Sequence, residues 1–169
     1  MRAGPVTRGL DPCAAPGLRL AARESTRRCG DGVANVGAGV AEIPPLVMET
    51  LELDRRVVAC NLRRQEVLVL NRACDQFPLR FQHLDAGLVK QRVDHLWLVS
   101  VLNDPERFPE LSVLSYGRAN PVTFNAKKFV TQQRTVARLV DRCLGRLTVP
   151  GLVTTTVEEA VWVAEWCHR

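Results

Sequence analysis

The chain has 169 residues, 46% of them apolar and 24% charged, with 23 Lys or Arg against 18 Asp or Glu for a formal charge of +5. Values this near the globular average exclude a wholly disordered, a collagen-like or an integral-membrane chain, and the length suits one domain with its own core. Twenty of the cations are arginine; only Lys90, Lys127 and Lys128 are lysine. Arginine's planar donor fork matches carboxylates and phosphates, which raises nucleic acid as a partner. Against that, acids are interleaved with the arginines, and from Met48 onward 17 cations face 14 anions, a net of +3. Such mixing reads mostly as a solvated surface.

Residues 1–47 carry seven of the eleven glycines and five of the ten prolines. A segment of this composition buries little apolar surface to offset its ordering entropy, so it reads as a disordered Gly/Pro/Arg-rich leader or an N-terminal extension. Arg2, Arg8, Arg19 and Arg23 against the single acid Asp11 resemble the charge balance of a transit peptide. Pro5, Pro12 and Pro16 oppose the amphipathic helix such a peptide forms. Met48 then opens the part expected to fold, residues 48–169.

From Met48 to Phe77 there is no Gly or Pro, and Leu51, Val58, Leu62, Val69 and Ala73 recur at spacings that fit one helical face, which predicts one long first helix ended by Pro78. A second helix is predicted over Leu79–Leu102, with Leu84, Leu88, Gln91, His95, Leu98 and Leu102 on one face. Its apolar run Leu96–Leu102 has a buried strand as the competing reading. Pro105, Pro109 and Pro121 make 103–124 irregular. The third helix is predicted over Asn125–Leu147, capped by Asn125, with Phe129, Gln133, Val136, Val140, Cys143 and Leu147 in register. The last begins at Thr156, where Thr156-Val157-Glu158-Glu159 fits a capping box and Val157, Ala160, Val161 and Ala164 form a core stripe.

Site chemistry is sparse. The six cysteines, at 13, 29, 60, 74, 143 and 167, include no C-x-x-C, and they read as free thiols with no metal site. His95 reads as a hydrogen-bonded core histidine. Gly30, Gly32, Gly37 and Gly39 lack the third glycine of a dinucleotide fingerprint, have no predicted strand before them, and are followed by Pro44-Pro45, so no phosphate loop and no cofactor is expected. Gln65, Gln91 and Gln133 each interrupt an apolar register, which suggests either polar register pins or amides facing water. No catalytic, cofactor-binding or metal-binding residue is assigned.

The resulting expectation is an all-α protein, a small three- or four-helix bundle with a long first helix. Its expected role is a non-catalytic subunit or adaptor of an intracellular assembly, cytoplasmic or nuclear. It would act through helix–helix contacts of coiled-coil type with a protein partner or a second copy, and without a membrane. Arg55, Arg56, Arg63, Arg64 and Arg72 on the first helix, with Tyr116, Trp162 and Trp166, are the candidate partner-binding residues. The alternatives are an arginine-led nucleic-acid binder using those five arginines, and a small mitochondrial assembly factor.

Overall fold

The computed structural model describes residues 18–19 and 32–169, and it is an α/β protein built on a parallel sheet. The strands are β1 (Leu18–Arg19), β2 (Val33–Val36), β3 (Val57–Asn61), β4 (Phe81–His83), β5 (Val93–Leu98) and β6 (Leu147–Thr155). The helices are α1 (Ile43–Leu51), α2 (Arg64–Ala73), α3 (Pro109–Ser115), α4 (Ala126–Leu144) and α5 (Val157–Cys167). A 3₁₀ turn spans Ala86–Leu88. Among the described residues no helix is long and apolar enough to cross a membrane.

The strand order is β1-β6-β5-β2-β3-β4, with every pairing parallel. Starting at β2, the chain winds outward through β3 to β4, then returns to the other side of β2 and winds through β5 to β6. Right-handed crossovers in opposite directions place their helices on opposite faces. Accordingly, Leu46 of α1 and Val67 and Leu70 of α2 pack with Ala59 on one face. On the other, α4 contributes Val136, Leu139, Val140, Cys143 and Leu144, and α5 Val163, against Ala34, Val36, Val58, Leu96, Leu98 and Val153.

This overturns the helical-bundle and coiled-coil expectation. The predicted first helix is α1, β3 and α2, and the predicted second is β4, the 3₁₀ turn and β5. Both errors have one cause. Central parallel strands are buried on both faces, so Val57–Cys60 reads as a continuous apolar run, and Val93–Leu98, whose Asp94 and His95 are buried too, lacks the two-residue alternation that marks a half-exposed strand. No glycine marks the break after α1; Asp54 takes the left-handed conformation there (φ 49°). Met48 falls inside α1, and residues 33–36, which from sequence count with the leader, form the central strand. The transit-peptide signal of residues 1–23 lies outside the described residues, apart from Leu18 and Arg19.

The C-terminal half follows expectation more closely. Helix α4 starts where Asn125 caps it, its Oδ1 accepting the Lys128 N–H at 3.0 Å. Helix α5 starts at Thr156, but its capping box is absent and its stripe is turned. Thr156 Oγ1 is buried without a partner, and Val157 and Val161 are exposed while Glu159 and Val163 are buried. Gln65 and Gln91 are exposed and Gln133 half-buried, which fits amides facing water.

Near the N-terminal ends of β2, β3 and β5 a buried polar network clamps α1 to the sheet. Glu49 of α1 accepts from Arg55 Nη1 at 3.1 Å and lies 2.7 Å from His95 Nδ1, while His95 Nε2 meets the Thr154 hydroxyl at 2.9 Å. The second amino group of Arg55 is bonded to Asp94. Burial pushes the Glu49 carboxyl up, but the contacts with His95 and Arg55 outweigh it and hold it below the ordinary value. Cutting one partner leaves buried charge uncompensated, so Arg55→Ala is expected to cost about 3–5 kcal/mol in urea unfolding. Because Glu49 holds its proton less tightly folded than unfolded, its contribution is complete above the ordinary carboxyl range and is lost as pH falls below it. Glu49→Gln should flatten that acid limb of the stability–pH curve.

Candidate functional site

In an open doubly wound sheet, ligands bind outside the C-terminal ends of the strands, at the point where the winding reverses. Here that point lies between β2 and β5, and a cleft of about 180 Å³ sits there. Four loops line it: Gly37 and Gly39 after β2, Asn61–Arg63 after β3, Leu84–Ala86 after β4, and Ser100, Val101, Asp104 and Arg107 after β5.

The β2–α1 loop needs glycine at 37. Its φ is +73°, and a Cβ there would stand 2.8 Å from Val101 Cγ2, across the cleft floor. Asn61, ending β3, ties two loops together. Its Nδ2 donates to the Ala38 carbonyl and to Glu66 Oε2, both at 2.9 Å, and its Oδ1 accepts the Arg63 N–H at 2.6 Å. Arg63 closes this wall by bonding Glu66 Oε1 at 2.7 Å and reaching Glu106 across to the β5–α3 loop. Those bonds hold the Glu66 carboxyl below its ordinary value. Beyond β4, Asp85 Oδ1 accepts the Gly87 N–H at 2.9 Å, and its other oxygen has no partner among the described residues.

The fourth wall is held from behind. Glu159 of α5 is fully buried and its carboxylate accepts the backbone N–H groups of Ser100 (2.9 Å), Leu102 (2.5 Å) and Asn103 (3.3 Å). This is why the Thr156 cap lacks its glutamate: the side chain serves the β5–α3 loop, where Ser100 sits at φ +56°. Burial raises the Glu159 carboxyl more than these amides lower it.

The cleft offers no activated nucleophile. Burial, with the Asp85 charge beside it, pushes the Cys60 thiol up to about 11, and the same causes push Cys143 to about 12. Both stay protonated at neutral pH. Cys60, Cys74 and Cys143 are free thiols, while Cys13 and Cys29 lie outside the described residues. No cluster of three or more metal-ligating side chains occurs among the described residues.

The partner-binding residues expected from sequence are dispersed. Arg55 is nearly buried in the network at the opposite end of the sheet, and Arg56 is exposed beside it. Arg63 reaches the cleft wall, while Arg64 and Arg72 lie exposed at the two ends of α2. The five therefore do not share one helix. Tyr116 is exposed at the end of α3, its hydroxyl accepting Asn103 Nδ2 at 3.1 Å with Arg118 over its ring. Trp162 and Trp166 are half-buried against the main core, so their rings are not a free aromatic face.

No known protein family and no curated protein matches the chain.

Glu159→Ala would strand three buried amides and leave a cavity. It is expected to destabilise by about 3 kcal/mol. Amide exchange at residues 100–103 should speed up more than exchange in α4, which separates loss of the loop from general loosening.

Proposed function

We propose that the chain binds a nucleoside-type ligand, with base and sugar lodged in the switch-point cleft. The observation that carries this reading is the coincidence, at one reversal point, of a glycine loop after β2 and a carboxylate beside the end of the next strand. Each part has a chemical use. Glycines 37 and 39 let a ligand approach the backbone closely. Glu66 retains a spare lone pair on each oxygen after its bonds to Asn61 and Arg63, so it can accept from a sugar diol. The free oxygen of Asp85 suits an exocyclic amino group. The cleft volume fits a single ring system better than a dinucleotide.

From sequence alone no phosphate loop is expected here, partly because no strand is predicted before Gly37. Strand β2 is there. The protein-adaptor reading keeps one supporting observation, a groove of about 460 Å³ between α3, α4 and α5, flanked by exposed Leu114 and Val161. It predicts that Val161→Glu abolishes any association seen on sizing the purified chain.

Calorimetric titration with adenosine and inosine tests the nucleoside reading. Saturable binding of adenosine, weaker binding of inosine, and an about tenfold loss of adenosine affinity in Asp85→Asn are expected. Asparagine keeps the acceptor for Gly87 but presents a donor to the amine. Equal binding by wild type and variant would sink the assignment of Asp85, and no adenosine binding would sink the reading.

A further inference from the structure

The loop that looks like a phosphate cradle has several of its donors already engaged or missing. Anions bind at glycine loops and helix N-termini because several backbone N–H groups there have no partner. In the first turn of α1 the Ile43 N–H donates to the Val40 carbonyl (3.3 Å), Pro44 and Pro45 carry no N–H, and the Leu46 N–H already bonds the Glu42 carbonyl (3.1 Å). In the loop before it, the Ala38 N–H donates to the Cys60 carbonyl at 2.8 Å, and the Gly39 N–H to Glu42 Oε2, also at 2.8 Å. The last of these matters most. A carboxylate of the protein itself occupies a donor on the cleft-lining glycine, the place a ligand phosphate would need.

We infer that this cleft selects nucleosides whose 5′ position bears no phosphate, with Glu42 as the specificity-determining residue. The inference rests on the nucleoside reading above and narrows it to a substrate class: a nucleoside with a neutral or cationic 5′ substituent. Among the described residues Glu42 has no cationic partner. A phosphate brought to Gly39 meets a like charge and must displace a charge-assisted hydrogen bond. A 5′ ammonium meets an attractive one. Phosphate exclusion is thus built from two independent devices, the missing amides of the two prolines and the carboxylate at Gly39.

The test is a titration of the full chain with four probes: adenosine, AMP, NAD and 5′-amino-5′-deoxyadenosine. Adenosine and the amino compound should bind, and AMP and NAD should bind at least about tenfold more weakly than adenosine. Glu42→Gln keeps an oxygen for the Gly39 N–H while removing the charge. Relative to adenosine, it should weaken the amino compound and strengthen AMP several-fold. Pro44→Ala with Pro45→Ala returns two amides to the helix start and should also strengthen AMP, which keeps the idea testable through a second route if the glutamine variant is unstable. AMP or NAD binding as tightly as adenosine overturns the inference while leaving the nucleoside reading intact. If none of the four probes binds, the nucleoside reading falls and this inference falls with it.

Discussion

Strand β2 is buried on both faces and bonded along both edges, to β3 on one side and β5 on the other. All four of its residues, Val33–Val36, are buried, the polar Asn35 among them, as befits a strand in the middle of a sheet. Once it is central, the remaining strands must be laid down on either side of it, and the chain must reverse its winding beside it. The reversal puts helices on both faces and opens the crevice at the strands' C-terminal ends. Layering, core and cleft all follow from that one placement.

The two ends of the sheet are built differently. At one end buried charges pair with one another: Glu49, Arg55, Asp94 and His95 spend their hydrogen bonds on the fold, and Glu49 stays ionised because its partners outweigh its burial. At the other end charges lie along a cleft open to solvent, and loops are held by side chains that bond backbone. Asn61 fastens the β2–α1 loop and Glu159 fastens the β5–α3 loop. Rigid supports of this kind hold the walls of a binding site to a fixed geometry before any ligand arrives.

Some of this was legible in the residues and some was not. Helix α4 was readable because a capping asparagine and a sustained amphipathic register occur together over nineteen residues. His95 was recognisable as a satisfied core histidine, although on a strand rather than a helix. The strands were not legible, because Val57–Asn61 and Val93–Leu98 are short, buried on both faces without alternation and free of Gly or Pro, which is also how a buried helix reads. Arg55 illustrates a different failure: nothing in Asp54-Arg55-Arg56-Val57 distinguishes the arginine that goes inside from its exposed neighbour.

By itself the sequence determined the apolar content of the chain, the position of the long amphipathic helix, and the absence of two amide donors at Pro44-Pro45. These are local properties, set by side-chain type and by the presence or absence of a backbone N–H. Only the tertiary structure decided that β2 is the centre of a parallel sheet, that Asn61, Asp85 and Glu66 line one cleft with the glycine loop, and that Glu159 leaves its own helix cap to hold the loop after β5. Those pairings join residues far apart in the chain. They follow from strand order and crossover handedness, which no local periodicity records.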